Sequence, residues 1–278
     1  MVNNKIFLSL KDDLLFKEAF THADNRHILI DYLSTIAEFD KDYLNNVKMI
    51  IEYESVLSKT KSKDKNMRGD VIIRFDNYII NLEAYSYFDT SSFDKSTSYV
   101  MRIFSTQLDR GSDYNLLESI IQINLIDNVK IPFTNEIKSS YYITNSEDIN
   151  DKKLADKFVM KYYRLDKARE VEYNQDNREM RWLRFIGAED ALERKEIAKG
   201  DELLMEFDNW LEEYVNDEKT KKIFGEWAEH IALNKGIEQG KFQNNQKIVK
   251  NLLAMNTSID DISKITGLSK NEIIEMSK

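Results

Sequence analysis

The sequence predicts an α/β core followed by a mainly helical C-terminal half. Three patterns support this class: helical spacing of apolar residues over 11–37, two β-rich runs around a tight turn within Asp70–Glu83, and an amphipathic helical pattern from Arg178 to Ile231. The chain has 278 residues, 42% of them hydrophobic, which is enough for one large domain or two small ones. We expect three segments: 1–135, 136–235 and 236–278.

Composition excludes several classes of protein. The chain has no cysteine, so it has neither disulfides nor thiolate metal sites. Met1–Leu10 shows no signal peptide, and no later segment approaches 18 uninterrupted apolar residues, so we expect an intracellular, cytoplasmic protein without a membrane partner. The net charge of −9 counts against a protein that coats DNA, but not against a nuclease with local basic contacts.

Two further classes of site have no support in the sequence. The chain lacks a glycine-rich phosphate loop, so nucleotide binding is not expected. Its three histidines are His22, His27 and His230, and their scatter argues against a zinc site.

The N-terminal third begins with helical periodicity. Residues 11–37 are predicted to form two helices, because a polar interruption near Thr21–Asn25 breaks the apolar spacing. Val47–Leu57 alternates loosely between apolar and polar residues and is predicted to be a strand. A polar, basic loop follows at 59–68.

A tight hairpin follows the basic loop. Its two β-rich runs flank Asp76-Asn77, and this two-residue turn sets Val71 opposite Leu82. The same register places Ile73 opposite Ile80 and Phe75 opposite Tyr78, all on one apolar face. On the other face Asp70 lies opposite Glu83, and such a like-charge pair destabilises a sheet by roughly 0.2–1 kcal/mol.

Two interpretations of this acidic pair remain open. In the first, Asp70 and Glu83 hold Mg²⁺ or Mn²⁺, which prefer oxygen ligands and can activate a water for attack on phosphorus. In the second, one face of the hairpin is solvated and both acids point to water.

The remaining core elements follow in order. Lys95–Leu108 has helical spacing, with Gly111 placed to end the helix. Ile120–Ile126 is a nearly continuous apolar run, which is typical of a buried strand. Tyr141–Thr144 and Phe158–Leu165 are predicted to be further strands.

The C-terminal half is predicted to be helical. All three tryptophans lie between Arg178 and Ile231, and Gly236 and Gly240 are expected to weaken the next helix, which reaches about Met255.

Two short helices end the chain. Their signals are capping residues Ser258 and Ser269, a stop at Gly267, an apolar face of Ile259, Ile262 and Ile265, and inward-facing Ile273 and Ile274. Packing on the preceding helix, or self-association into a homo-oligomer, is favoured over reading of DNA, because these helices are short and nearly neutral.

The basic loop before the hairpin has two interpretations. It carries Lys59, Lys61, Lys63, Lys65 and Arg68 against a single Asp64. It could bind a DNA backbone through phosphate contacts that carry no sequence information. Alternatively, it is an ordinary solvated run of charge.

Several segments, in this order and spacing, carry a resemblance to a known family. They are Lys11–Phe20, Asp70-Val71, Ile80–Glu83, Ser98–Tyr114, Ile121–Leu125 and Ser258–Ser269. Through them the chain resembles the PD-(D/E)XK nuclease family transposases, also called the recombination-promoting nuclease family.

The resemblance implies a restriction-endonuclease-like core and Mg²⁺-dependent cleavage of DNA. Carried over to this chain, it makes Asp70 and Glu83 the metal-binding acids. Glu18 is a candidate third acid from the first helix, although a solvated Glu there is equally consistent.

One departure from the family pattern affects the site. The family places Lys, or commonly Gln, two residues after the Glu, whereas this chain has Tyr85. Tyr85 cannot supply a cation, although it can donate a hydrogen bond to water or phosphate. Arg68 and Gln107 are candidates for the missing role. Tyr85 itself could suffice in a slow enzyme, or cleavage could be lost.

The sequence therefore supports two functions. The favoured one is a Mg²⁺-dependent (or Mn²⁺-dependent) DNA endonuclease linked to recombination or mobile elements. The alternative is a catalytically degenerate nuclease fold that acts as a DNA- or protein-binding module.

Overall fold

The structure, a computed structural model, describes residues 8–53, 70–108, 111–148, 154–222, 244–255, 257–266, 268 and 270–277. The chain divides into two compact units, Met1–Val215 and Asn216–Lys278. Among the described residues, no helix is both long and apolar enough to cross a membrane.

The first unit is built on a mixed six-stranded sheet, which confirms the predicted α/β class. Its strands are β1 (Ile50–Tyr53), β2 (Val71–Phe75), β3 (Tyr78–Tyr85), β4 (Ser119–Ile126), β5 (Lys138–Tyr142) and β6 (Phe158–Arg164). The spatial order is β1-β2-β3-β4-β6-β5, in which β3, β4 and β6 are parallel and the other pairings are antiparallel. The boundary expected near residue 135 falls between β4 and β5 of this one sheet.

Helices cover the sheet and continue beyond it. They are α1 (Asp13–Thr21), α2 (Arg26–Tyr32), α3 (Lys41–Asn46), α4 (Thr90–Ser105), α5 (Leu165–Glu170), α6 (Arg178–Gly187), α7 (Ala191–Ala198) and α8 (Glu202–Asn216). A 3₁₀ turn at Ala23–Asn25 separates α1 from α2, as the polar interruption predicted, and a π-helical turn, Leu33–Ala37, continues α2. Helix α3 was not predicted from the sequence, although Asp40 caps it by accepting from the Tyr43 N–H at 2.7 Å.

The hairpin has the predicted register. Val71 lies opposite Leu82, and Phe75 lies opposite Tyr78. Both faces of the hairpin are covered, since Val71 and Leu82 are fully buried on one face and Ile72 on the other. A central strand with helices on both sides loses its solvated face.

Helix α4 is the crossover between the parallel strands β3 and β4. It begins at Thr90, five residues before the predicted start, because Asp89 caps it by accepting from the Ser92 N–H at 2.8 Å. Tyr99, Val100 and Ile103 are buried against the same sheet face as Ile72. This helix therefore covers the face on which Glu83 lies.

The second unit contains the predicted terminal helices. Helical residues 244–254 form α9, followed by α10 (Ile259–Thr266) and α11 (Lys270–Ser277). Val249 of α9 packs with Ile262, Ile273 and Met276, which supports the prediction that the short helices pack on the preceding one.

Parts of that prediction are corrected or lie outside the described residues. Ser258 caps α10 by accepting from the Asp261 N–H at 3.1 Å, as predicted. Ile274 is exposed rather than inward-facing, and of the predicted apolar face of α10 only Ile262 is buried, whereas Ile259 and Ile265 are exposed. Trp227, His230, Gly236, Gly240, Gly267 and Ser269 lie outside the described residues.

Candidate active site

The two predicted acids meet at the open end of the hairpin. The Asp70 backbone N–H donates to Glu83 Oε1 at 3.3 Å, and the Ala84 N–H donates to Asp70 Oδ2 at 3.3 Å. Glu83 is fully buried and Asp70 is 7% exposed. The interpretation in which both acids point to water is therefore wrong, since the α4 side of the sheet is covered.

A buried ammonium partly compensates for the negative charge of the pair. Lys17 of α1 places its Nζ 3.6 Å from Asp70 Oδ1, and the side chains of both residues are about nine-tenths buried. Buried charges are found where an opposite charge and hydrogen bonds accompany them. Lys17 and the backbone N–H donors thus offset the carboxylate repulsion that the hairpin register predicts.

A row of buried amides fixes the position of Glu83. Asn81 Nδ2 donates to Glu83 Oε1 at 3.1 Å and approaches Gln122 Oε1 at 3.3 Å. Gln122 Nε2 donates to Asn124 Oδ1 at 2.9 Å and to the Ser96 carbonyl of α4 at 3.0 Å. The row crosses from β3 to β4, so sheet and helix together hold the Glu83 carboxylate in one orientation.

Tyr85 lies beside Glu83, as alternation along β3 predicts. Its hydroxyl donates to Glu83 Oε2 at 3.4 Å. Burial, together with the negative charges of Glu83 and Asp70, raises the pKa of Tyr85 well above its ordinary value. The phenol therefore stays protonated at neutral pH and acts as a hydrogen-bond donor, not as a base.

A second lysine, which was not among the predicted site residues, approaches from α4. Lys95 Nζ lies 5.5 Å from the centre of the Tyr85 ring and 5.1 Å from that of Tyr99. Partial desolvation alone would lower the pKa of Lys95, but the charge of Glu83, the Tyr99 hydroxyl and the charge of Asp70 outweigh it and raise the pKa. Lys95 is therefore positively charged at neutral pH; its ammonium group is partly desolvated, while the residue as a whole is exposed.

The sequence held a weak signal for each lysine. Lys17 lies directly after the buried Leu15-Phe16 pair of α1, where a charge must find a partner. Lys95 precedes Tyr99 by four residues, so the two share one face of α4. Neither signal identifies the partner of the lysine, because Asp70 is far from Lys17 along the chain and Tyr85 lies on a different element from Lys95.

Other predicted residues lie elsewhere. Gln107 binds the backbone of Glu118 through both amide atoms, at 3.1 and 2.7 Å. Glu118 precedes Ser119, which pairs with Tyr78, so Gln107 lies near the opposite end of β3, roughly 16 Å from Glu83 at the rise of a strand. The structure thus does not bring Gln107 to the acidic pair. The basic-loop residues Lys61, Lys63, Lys65 and Arg68 are outside the described residues.

Glu18 is half-buried on α1, one residue after Lys17. Consecutive helix residues point in directions about 100° apart, so α1 turns Lys17, not Glu18, toward Asp70. Among the described residues, no group of three Asp, Glu, His or Cys side chains is placed to hold a metal ion.

The donor set nevertheless fits a hard divalent cation. Asp70 and Glu83 offer carboxylate oxygens, and Asn81 Oδ1 is buried with no hydrogen-bond partner among the described residues. Mg²⁺ is commonly bound by one or two carboxylates, with water and substrate phosphate as its other ligands. Two acids and a neighbouring amide oxygen are therefore a sufficient protein contribution.

The chain is similar to a known protein family. A family model described as "PD-(D/E)XK nuclease family transposase" covers residues 10–231, which is more than half of the chain. The six-stranded mixed sheet and its helices agree with the restriction-endonuclease-like fold of that description. No curated protein matches the chain.

Proposed function

The chain belongs to the PD-(D/E)XK nuclease family transposases, and from this premise we propose that it is a metal-dependent DNA endonuclease acting through Asp70 and Glu83. Mg²⁺ or Mn²⁺ is the proposed ion. The family supports a nuclease-related function in general. We propose three further properties: metal dependence, DNA as the substrate and a link to recombination.

One observation carries the proposal. Asp70, just before β2, and Glu83 of β3 are buried side by side and are held by backbone N–H groups and by Asn81. Two carboxylates in such proximity are costly to bury, and proteins retain such arrangements at functional sites.

The chemistry is hydrolysis of a phosphodiester. One P–O bond forms to the oxygen of water, one P–O bond to a sugar oxygen breaks, water loses a proton and the leaving oxygen gains one. A divalent ion, when bound, polarises the phosphoryl oxygen and lowers the pKa of the attacking water. Asp70 and Glu83 would hold that ion, while Asn81 keeps Glu83 oriented and protonated Tyr85 donates a hydrogen bond.

We assign binding of the DNA backbone to basic residues that precede the hairpin in the sequence. Lys61, Lys63, Lys65 and Arg68 precede Asp70 directly in the sequence. As phosphate contacts they would position DNA without selecting a sequence.

The test is nicking of supercoiled plasmid by the purified full chain with Mg²⁺, Mn²⁺ or EDTA. Asp70→Asn and Glu83→Gln keep the shape of each side chain and remove its charge. Asp94→Asn, which alters an exposed acid on α4, is the matched control. We expect metal-dependent nicking by the wild type and by Asp94→Asn only. Equal nicking by Glu83→Gln would refute the assigned site.

One observation favours the alternative of a binding module. Lys17 already places a positive charge 3.6 Å from Asp70, so the acidic pair is partly neutralised without a metal. A module of this kind would bind DNA or a protein and cut neither single- nor double-stranded DNA with any metal. The same nicking assay separates the two functions, provided that the protein used is folded.

A further inference from the structure

We propose that Lys95 is the cation that contacts the substrate phosphate at this site, and that the rings of Tyr85 and Tyr99 position it. This inference rests on the proposed function and adds to it a catalytic residue from α4. It also gives Tyr85 a second role, as one wall of a cage around the ammonium group.

The cage is defined by two short distances. Lys95 Nζ lies 5.5 Å from the centre of the Tyr85 ring and 5.1 Å from that of Tyr99. An ammonium group within about 6 Å of an aromatic ring is attracted by its negative face. Because the Tyr85 hydroxyl is 3.4 Å from Glu83 Oε2, the same ring that holds Lys95 also borders the acidic pair.

Exposure distinguishes Lys95 from the other lysine of the site. The Lys17 side chain is 8% exposed and faces Asp70, so it serves as a buried counter-ion. Lys95 is exposed on α4, where a large anionic polymer can reach it. Of these two lysines, only Lys95 is placed to meet a phosphate that arrives from solvent.

The chemistry requires such a cation. The site presents two carboxylates, and a phosphodiester brings a further negative charge that grows as the attacking oxygen adds to phosphorus. Preorganised positive groups aimed at the developing charge stabilise the transition state. A lysine held by two rings is preorganised, since little of its freedom remains to be lost on binding.

The first experiment measures binding without cleavage. A short DNA duplex is titrated with Glu83→Gln protein in EDTA over a range of NaCl concentrations, and the salt slope of the affinity is recorded. Adding Lys95→Ala should reduce the slope by about one, as expected for one lost phosphate contact. The matched control is Lys130→Ala, since Lys130 is also exposed and lies 5.9 Å from the centre of the Tyr87 ring.

This binding experiment has two contrary outcomes. An unchanged slope for Lys95→Ala would overturn the proposal. An equal loss for Lys130→Ala would also overturn it, because the effect would then belong to surface charge in general.

The second experiment measures single-turnover cleavage with saturating DNA. Lys95→Ala should lower the rate on the order of 10²-fold, the cost of removing one preorganised group that stabilises transition-state charge. Lys95→Arg, or methylamine added to Lys95→Ala, should restore part of the rate. Mn²⁺ affinity measured by calorimetry should be no weaker in Lys95→Ala, since Lys95 is not a ligand.

Failure of this inference and failure of the proposed function give different results. If the wild type cleaves and Lys95→Ala cleaves equally fast, the role of Lys95 is refuted and the nuclease stands. If the wild type cleaves no DNA with any metal, the nuclease is refuted, and the salt slope alone decides whether Lys95 contacts phosphate.

Discussion

At the residue scale, the acidic pair depends on the charge beside it. Lys17 and Asp70 are both about nine-tenths buried, and their charged atoms are 3.6 Å apart. Removing one member of a buried ion pair leaves the other without compensation, whereas removing both is much less costly. The pair therefore makes a testable contribution to folding, independent of any metal.

We expect Lys17→Met to lower the free energy of unfolding by about 3–5 kcal/mol in metal-free protein, because Asp70 then stays buried without its cation. The double variant Lys17→Met/Asp70→Asn should lose less free energy of unfolding than the two single variants lose together. Urea denaturation at pH 7 measures all four proteins of this double-mutant cycle. Strict additivity would show that the two groups do not interact.

The residues of the site differ in how far the sequence could predict them. Asp70 and Glu83 come together through one hairpin register, which a two-residue turn determines locally. Lys17 and Lys95 reach the site from α1 and α4, whose packing depends on contacts distant in sequence. Gln107 was a reasonable candidate on α4, but the helix ends at Ser105 and its amide binds Glu118 instead.

At the element scale, α4 links the sheet to the candidate site. It contributes Lys95 and Tyr99 to the cage and the Ser96 carbonyl to the amide row. Its first turn is stabilised by Asp89, whose carboxylate accepts from both the N–H and the hydroxyl of Ser92. The position of this helix therefore depends in part on one cap.

We expect Asp89→Ala to destabilise the protein by about 1 kcal/mol, the usual cost of losing a helix N-cap. Asp89→Asn keeps an acceptor in the same place and serves as the control. Hydrogen exchange at the Ser92 amide should quicken in Asp89→Ala and stay slow in Asp89→Asn. Equal protection in the two variants would mean that Asp89 does not determine where α4 begins.

The elements that the sequence predicted best are those with a strong periodic pattern. The hairpin, β4 and the helices on either side of Thr21–Asn25 all match their predicted positions closely. The short α3 was missed, because six residues provide less than two turns of periodicity. The burial of both hairpin faces was also not predicted, since it follows from the placement of α4 over the sheet.

At the scale of the whole molecule, buried acids paired with bases connect distant parts of the first unit. Asp31 accepts from Lys41 and Trp182, at 2.7 and 2.9 Å. Asp127 of the segment after β4 accepts from Lys11 and Arg169, at 2.8 and 2.7 Å. These contacts join residues up to 151 positions apart, so the fold relies on the acids being ionised.

The pKa values of these acids predict how stability depends on pH. Burial alone would raise the pKa of Asp31 and of Asp127, but hydrogen bonds from their basic partners lower both below the ordinary value of 3.8. Hydrogen bonds from Lys138 and Lys161 lower the pKa of Glu38 from 4.5 to about 2. When the pH falls below these ordinary pKa values, the unfolded chain binds protons that the folded chain does not. Protonation therefore favours unfolding.

We therefore expect stability to be fully present above about pH 5, and to fall as the pH drops toward 2. Urea unfolding at pH 7, 4 and 3 measures this loss of stability. In Asp127→Asn the free energy of unfolding should depend less steeply on pH. A free energy of unfolding that stays constant from pH 7 to pH 3 would contradict the depressed pKa values.

The most direct test of the whole account is a calorimetric titration of Mn²⁺ into the full chain, wild type beside Glu83→Gln and Asp94→Asn. We predict saturable binding by the wild type and by Asp94→Asn, and its loss in Glu83→Gln, because Glu83 supplies one of two carboxylates for the ion. Equal Mn²⁺ binding by all three folded proteins would contradict the assignment of Asp70 and Glu83 as the metal site.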